Sequence, residues 1–238
     1  MITMKEQQIK EQQISDKFRR EINIFMGHFD VVLCELLRNR IPIGLAIVED
    51  KPVNLKVVEI CQKEGIPVYK IVNYSEIMRI CSRYKYIKFC FVASFGKILK
   101  KDFIDKCEYI INFHPGDVLT CRGRHPLPAA VLHGYSEMGI TVHSIEDEGV
   151  DSGPILYRLL MPIDYNSSYK ANEKRLLKAL RYLTILVATD INEGRIVYYY
   201  WDVKKSIYFK PLKKEILEEI INSKSLKRLK ISKDTTTC

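Results

Sequence analysis

Several motifs that mark common enzyme classes are missing from this sequence. The turn Gly27-His28-Phe29-Asp30 has a single glycine, so the chain lacks the G-x-G-x-x-G of a dinucleotide site, and it also lacks a P-loop. No G-x-S-x-G is present, which argues against a serine nucleophile of the hydrolase type. The chain has no H-E-x-x-H and its five histidines are scattered, so we expect no metal site.

Long apolar runs and paired cysteines are also missing. No run reaches the roughly 20 residues that a membrane helix needs. The first 21 residues are rich in Gln, Lys and Glu and lack the apolar core of a signal peptide, so we expect a cytoplasmic protein without a membrane partner. The seven cysteines form no C-x-x-C pair, which argues against a disulfide framework. Cys121 is a candidate nucleophile, but no base lies beside it in the sequence.

What the chain has in excess is positive charge. The net charge is +9, and residues 204–234 hold ten basic against four acidic residues, which is +6 of that total. One interpretation is a solvated, Lys-rich surface, and the other is a polyanion partner such as a nucleotide diphosphate. Because no nucleic-acid-binding motif accompanies the charge, we do not expect a nucleic acid as partner.

The apolar segments alternate with segments of helical spacing. β-branched and aromatic runs without polar alternation are typical of buried parallel strands, and their alternation with helices predicts an α/β protein with a parallel sheet. The predicted strands are 22–26, 43–48, 68–72, 89–93, 109–113, 139–145 and 154–160. The predicted helices are 31–37, 55–64, 75–84, 126–133 and 172–192, with Ser75 as a cap of the third and Gly194 closing the last.

Three parts of the chain differ in composition. We expect a polar N-terminal extension over residues 1–21 and a catalytic domain over residues 22–194. Residues 195–238 are predicted to form a small β/α appendage with a basic tail, with strands over 196–201 and 207–209 and a helix over 213–222. The aromatic appendage and the apolar residues of the final helix suggest a homodimer.

Three polar side chains stand next to Gly or Pro where apolar segments end. Asn112 and His114 flank Phe113 at the end of a predicted strand, and Asp151 lies in the loop Gly149–Pro154. Residues i and i+2 of a strand point to the same side, and ligands of parallel sheets bind at the carboxyl ends of the strands. Asn can hold an oxyanion, His can move a proton, and Asp can orient the His. The set favours transfer of an acyl-level carbon.

The other histidines are weaker candidates for a catalytic role. His143 alternates with Thr141 in a strand-like run and is interpreted as structural. His133 lies near the end of a predicted helix, where a positive charge suits the helix dipole. His28 lies in the first strand-to-helix turn and could touch a ligand, and His125, between Arg124 and Pro126, is ambiguous.

The ordered motifs resemble those of a known family. Asn112-Phe113-His114-Pro115, Arg122-Gly123, the run 139–143 and Asp151-Ser152-Gly153-Pro154 are similar to the folate-dependent formyltransferases over about residues 22–192. The family includes glycinamide ribonucleotide, methionyl-tRNA and sugar N-formyltransferases. The resemblance implies a Rossmann-like, mostly parallel sheet flanked by helices, and it implies that Asn112, His114 and Asp151 are the catalytic residues.

The resemblance also implies a co-substrate, 10-formyltetrahydrofolate. In the family, the pteridine pocket is formed by a segment matching Ser94 to Leu99 and by the loop from Asp147 to Asp151. The residues implied to bind folate are Phe95, Gly96, Lys97, Ile98, Leu99 and Asp147. On the residues alone, the segment 95–99 is equally an ordinary strand-to-helix connection.

Departures of this sequence from the family's motifs narrow the choice of acceptor substrate. Leu119 replaces a proline that the family often has, and no Gly/Ser-rich phosphate loop follows the first strand. The segment after Gly194 is short for the second domain of the methionyl-tRNA enzymes. The run 122–126, Arg-Gly-Arg-His-Pro, resembles the sugar-nucleotide enzymes more closely than the methionyl-tRNA enzyme. This points to a nucleotide-linked (dTDP or UDP) amino-deoxy sugar as the substrate, used in cell-surface polysaccharide biosynthesis.

Two residues are candidates for binding that sugar. Arg124 is the first candidate, whereas Arg122 is interpreted as structural. Trp201, the only tryptophan, ends an aromatic run and either packs in a small core or dimer contact or stacks on a nucleobase.

Three alternatives stay open on the sequence. The same three catalytic residues would serve a formyltetrahydrofolate hydrolase, or an N-formyltransferase acting on an amino acid or a siderophore. The third alternative is a catalytically dead relative that binds a partner through its basic C-terminal region.

Overall fold

The computed structural model describes residues 21–229. The predicted polar extension, apart from Glu21, and the basic tail from residue 230 onward lie outside the described residues. The strands are β1 Glu21–Gly27, β2 Leu45–Glu49, β3 Val68–Ile71, β4 Tyr86–Ala93, β5 Cys107–His114, β6 Arg122–Gly123, β7 Glu137–Ser144, β8 Ile155–Pro162 and β9 Tyr208–Phe209. The helices are α1 Asp30–Arg38, α2 Leu55–Lys63, α3 Tyr74–Cys81, α4 Lys101–Ile104, α5 Pro126–Leu132, α6 Tyr169–Asn192 and α7 Lys214–Asn222. None of the helices in this range is both long and apolar enough to cross a bilayer.

The chain divides into two compact units. The first holds the residues up to Asn112 together with Ile145–Glu148, and the second holds Phe113–Ser144 and the residues from Gly149 onward. The first unit contains parallel strands in the order β3-β2-β1-β4-β5. Its strands read as continuous apolar runs because side chains on both faces are buried, as in the fully buried stretch Phe89–Ala93 of β4.

The order of strands in the first unit creates a switch point. The chain runs outward from β1 to β2 and β3, and then returns to place β4 on the other side of β1. The carboxyl ends of β1 and β4 therefore diverge into connections on opposite sides, which is where open α/β sheets bind ligands. The backbone is tight here, since a Cβ on Gly27 would lie 2.1 Å from the carbonyl oxygen of Ala93.

The second unit contains an antiparallel pair and a long helix. β7 pairs with β8, with Gly139 opposite Leu160 and Thr141 opposite Arg158, and α6 contacts both strands. α6 begins at a true cap, because the Ser168 hydroxyl accepts a hydrogen bond from the Ala171 amide at 3.2 Å. It ends before Gly194, whose φ of +67° suits the left-handed turn that the sequence predicts there.

The fold class is confirmed, with local differences. The sheet is mostly parallel, has seven strands and is flanked by helices. α3 is capped by Asn73 rather than Ser75, because Asn73 and Glu76 form a reciprocal capping box. The strand predicted over 196–201 is wrong. Only Tyr199 makes a bridge, to Ile155, since one exchange of backbone hydrogen bonds holds that segment to the start of β8.

Candidate active site

His114 is the last residue of β5 and is almost completely buried, with 5% of its surface exposed. Its Nδ1 lies 3.5 Å from Oδ1 of Asp151, and its Nε2 lies 3.4 Å from the carbonyl oxygen of Cys121. Burial lowers the pKa of His114, and the negative charge of Asp151 opposes that shift without cancelling it. His114 is therefore mainly neutral near pH 7, with Nδ1 directed to Asp151 and Nε2 directed to the Cys121 carbonyl oxygen.

Asp151 is held in an unusual backbone conformation. Its φ is +48°, a region that costs a non-glycine residue free energy and is concentrated at functional sites. Its Oδ2 accepts a hydrogen bond from the Gly123 amide at 3.0 Å. Burial alone would raise the pKa of this carboxyl group, but the charges and hydrogen bonds of His114, His143 and Gly123 hold the pKa well below its ordinary range. Asp151 is therefore ionised at neutral pH.

His143 is a third member of the site, which the sequence interpretation missed. It lies in β7 and is buried, and its Nε2 is 3.4 Å from the same Oδ1 of Asp151 that faces His114. Its Nδ1 donates to the carbonyl oxygen of Ser144 at 2.7 Å, because a carbonyl can only accept. The strand-like pattern around Thr141 hid this role, and the only available signal was the nearby Asp151 motif.

Three contacts from elsewhere in the second unit build the loop around Asp151. Arg122 Nη1 donates to the carbonyl oxygen of Val150 at 3.1 Å, and the Trp201 indole N–H donates to the carbonyl oxygen of Gly153 at 2.9 Å. Gly153 packs so closely that an added Cβ would lie 1.9 Å from the carbonyl oxygen of Ser144. Arg122 thus has structural contacts, and Trp201 has a bond that no sequence pattern indicated.

Asn112 lies on β5 two positions before His114, opposite Val92 of β4, and belongs to the first unit. The structure brings the other two predicted catalytic residues, His114 and Asp151, within ion-pair distance of each other. Cys121, the alternative nucleophile, is buried with its thiol directed to the carbonyl oxygen of Pro126. Burial raises the pKa of this thiol to about 12, so it is not a thiolate at neutral pH.

The segment Phe95–Leu99 lies at the switch point of the first unit, directly after β4. Ser94 begins it with a φ of +58°, Phe95 packs against the apolar core, and Leu99 is buried within that core. Ile98 is 59% exposed, so an apolar side chain faces outward from a segment whose ends are anchored. Asp147 is exposed in the loop that follows β7. An outward apolar side chain beside backbone polar groups is what a pterin ring would need.

The second unit contains an open cavity of about 610 Å³ between β8 and the segment 195–201. Its walls include three aromatic side chains, Tyr157, Tyr199 and Trp201, and two guanidinium groups, Arg158 and Arg195. A cavity of this size is in the range of small-molecule sites. Trp201 therefore lines a cavity with its ring and holds the Asp151 loop with its N–H.

The two residues that follow Gly123 differ in exposure. Arg124 is exposed, whereas His125 is partly buried with a φ of +57°, and its Nδ1 is buried without a hydrogen-bond partner within the described part of the chain. Burial lowers the pKa of His125, and the nearby charge of Arg124 lowers it further. No group of three or more His, Cys, Asp or Glu side chains within residues 21–229 is arranged to hold a metal ion.

Comparison with known proteins gives a consistent picture at the level of sequence. The family model described as formyl transferase matches residues 70–187, about half of the chain. A methionyl-tRNA formyltransferase from Wolbachia sp. subsp. Drosophila simulans (strain wRi) is 34% identical over 103 residues. That alignment covers 43% of this chain and 34% of the relative, so the chain matches about a third of that protein's length.

Solved structures share the fold. The crystal structure of WlaRD, a sugar 3N-formyl transferase in the presence of dTDP and 5-N-formyl-THF, has a TM-score of 0.66 and 20% sequence identity, covering 80% of this chain and 70% of that one. An N-formyltransferase from Helicobacter canadensis, in complex with folinic acid and dTDP-3-aminofucose, has a TM-score of 0.62 and 19% identity, covering 80% of this chain and 71% of that one.

Proposed function

Because this chain belongs to the folate-dependent formyltransferase family, we propose that it moves a formyl group from 10-formyltetrahydrofolate to the primary amine of a nucleotide-linked (dTDP or UDP) amino-deoxy sugar. The observation that carries the proposal is the buried His114–Asp151 pair at the carboxyl end of β5, where Asn112 precedes it in the same strand. Neutral imidazole, ionised carboxylate and amide are the groups that acyl transfer to an amine requires.

In the proposed reaction, folate supplies the formyl group, and side chains of the protein transfer protons and stabilise charge. A C–N bond forms between the acceptor amine and the formyl carbon, and the bond from that carbon to the folate N10 breaks. The lowered pKa of His114 leaves its imidazole neutral and able to take the proton that the amine loses, and the imidazolium so formed is stabilised by Asp151. The same proton then goes to N10, so protons balance.

The oxygen of the formyl group gains negative charge during this reaction. We assign its stabilisation to the Asn112 amide and to the His114 imidazolium. Removing one donor of this kind typically lowers turnover by about 10²–10³-fold. His143, which shares the Asp151 oxygen, keeps Asp151 ionised while His114 changes its charge.

Folate is proposed to bind along Phe95–Leu99 and the loop with Asp147. The exposed Ile98 offers an apolar surface to the pterin, while the buried Leu99 and core-packed Phe95 fix the backbone that would meet its polar edge.

The sugar nucleotide is proposed to use the cavity of the second unit. Trp201 and Tyr199 offer aromatic faces for a thymine or uracil base, and the exposed Arg124 offers positive charge for the diphosphate. The solved structures with dTDP and dTDP-3-aminofucose support this choice of acceptor class. A cytoplasmic homodimer is part of the same proposal.

A second acceptor is favoured by one observation, the sequence similarity to methionyl-tRNA formyltransferases. The excess of +6 charge over residues 204–234 would also suit a polyanion. Against it, the described part of the chain after Gly194 holds the short elements β9 and α7, packed within the second unit.

An acceptor screen with the purified protein tests the proposal. The protein is incubated with 10-formyltetrahydrofolate and, separately, with dTDP- and UDP-amino sugars, charged methionyl-tRNA, free amino acids and no acceptor, and products are identified by mass spectrometry. We expect an N-formyl sugar nucleotide. Formylated methionyl-tRNA would establish the second candidate instead, formate without acceptor would indicate a hydrolase, and no turnover of the folate under any condition would overturn the formyl-transfer proposal.

A further inference from the structure

We infer that Glu49, at the end of β2, is a positioning residue that fixes the backbone of the segment Phe95–Leu99 and thereby sets the affinity for folate. The inference rests on the proposed folate site, and it concerns a residue about 50 positions away in sequence that no motif marks. All the contacts that carry it lie within the first unit.

The first observation is a direct bond between the carboxylate and the segment. Oε2 of Glu49 accepts a hydrogen bond from the Gly96 amide at 3.2 Å, and Oε1 lies 2.8 Å from the Lys51 ammonium. Only 12% of the Glu49 side chain is exposed. Because the carboxylate is mostly removed from water, both of its oxygens need hydrogen-bonding partners. One oxygen faces the Lys51 ammonium and the other accepts from the Gly96 amide.

The second observation is steric. A Cβ built on Gly96 would lie 2.7 Å and 2.9 Å from the two carboxylate oxygens of Glu49, closer than real Cβ atoms come. The carboxylate thus packs directly on the glycine backbone. This contact therefore requires both a glycine at position 96 and a carboxylate at position 49.

The third observation is that two more acceptors hold the far end of the same connection. The Tyr74 hydroxyl accepts from the Lys100 amide, and a Glu148 carboxylate oxygen accepts from the Lys101 amide, each at 3.1 Å. With Gly96 fixed near one end and Lys100 at the other, the exposed Ile98 is presented between two anchored points. Ordering these residues before binding removes an entropy cost that the ligand would otherwise meet.

Folate binding and proton transfer are therefore expected to depend on different residues. Glu49 touches neither reacting atom in the proposed chemistry, so its loss weakens folate binding and leaves the proton-handling residues His114 and Asp151 unaltered. Gln at position 49 keeps an oxygen that can accept from Gly96, whereas Ala keeps none.

The test compares Glu49→Ala, Glu49→Gln and the wild type. Binding of 5-formyltetrahydrofolate is measured by titration calorimetry, and KM and kcat for 10-formyltetrahydrofolate are measured with saturating acceptor. We expect Glu49→Ala to weaken binding and raise the folate KM by about tenfold with kcat within about twofold, because a hydrogen bond to a charged group is lost. We expect Glu49→Gln to restore most of the affinity.

Two further variants separate the outcomes. Gly96→Ala displaces the carboxylate from the other side and should weaken folate binding to a similar degree. Glu59→Ala, an exposed glutamate of α2 in the same unit, is the matched control and should bind like the wild type. Equal affinity of all four variants and the wild type overturns the inference while leaving the proposed function intact. A wild type that does not bind 5-formyltetrahydrofolate overturns the proposed folate site itself.

Discussion

At the scale of single residues, one oxygen of Asp151 lies within 3.5 Å of ring nitrogens from both His114 and His143. The other oxygen is occupied by the Gly123 amide. One carboxylate oxygen is therefore shared by two imidazole rings, so a displacement of either ring alters the contact of the other.

Substitution of His143 by Asn or Gln separates its two contacts. The amide of Asn takes the place of Nδ1 and keeps the bond to the Ser144 carbonyl oxygen, whereas the amide of Gln takes the place of Nε2 and keeps the contact with Asp151. We expect His143→Asn to lose about 100-fold in turnover and His143→Gln to lose about tenfold, the range seen for residues that orient catalytic ligands.

Initial rates with saturating folate and acceptor measure this difference, and a double variant supplies the control. Adding His143→Asn to Asp151→Asn should cost little further turnover, because the interaction is already lost. Equal, additive losses would show that His143 acts independently of Asp151.

At the scale of elements, the loop 149–153 is fixed by segments distant in sequence. Arg122 and Trp201 each donate to one of its carbonyl oxygens, and Gly153 packs against the end of β7. A short loop with a strained Asp151 needs such support, because its own residues supply too few contacts to hold a φ of +48°.

Gly153→Ala tests that support. The added Cβ would lie 1.9 Å from a backbone oxygen, which cannot rotate away as a side chain would, so the loop must shift. We expect turnover to fall by about 100-fold or more, since small displacements of catalytic groups have effects of that size. Gly194→Ala is the control, because nothing lies within 4 Å of its added Cβ; it should cost about 1 kcal/mol of stability and leave turnover unchanged.

The sequence predicted those elements that its periodicity determines. The buried runs of β4 and β5, the 3.6-residue spacing of α2 and the glycine after α6 each follow from burial or backbone conformation, so the α/β class was accessible. The antiparallel pairing of β7 with β8 was not, because apolar strands do not encode direction. The segment 196–201 has strand-forming residues, but it reaches only one pairing residue of β8.

The residues of the candidate site also differ in whether they can be predicted from the sequence. His114 and Asp151 stand beside Pro and Gly at segment ends, and such positions are visible in a sequence. His143 is enclosed in a strand and resembles a core residue until the position of Asp151 is known. Glu49 and Gly96 are coupled only through space, and Trp201 reaches Gly153 through a hydrogen bond that aromatic composition does not reveal.

At the scale of the whole molecule, the charges of the site make stability depend on pH. The pKa of His114 is lowered from its ordinary value of 6.5, so the unfolded chain binds that proton more readily and stability falls as the pH drops below 6.5. The pKa of Asp151 is lowered from 3.8, so its contribution is present above 3.8 and is lost as the pH falls further.

Urea unfolding at a series of pH values measures both contributions. From about pH 7 to about pH 5, the stability of His114→Asn should fall less steeply than that of the wild type, and below about pH 4 the same should hold for Asp151→Asn. His133→Asn, at the end of α5, controls for the general effect of losing an imidazole. Parallel curves for the wild type and His114→Asn would contradict the lowered pKa.

The bond from Trp201 to Gly153 has a consequence for descent within the family. The stretch that matches the formyl transferase model ends at residue 187, whereas Trp201 lies beyond it. A relative that kept every matched motif but replaced this tryptophan would lose the hydrogen bond that holds the Asp151 loop. A change outside the matched stretch can therefore alter the site while every matched motif stays the same.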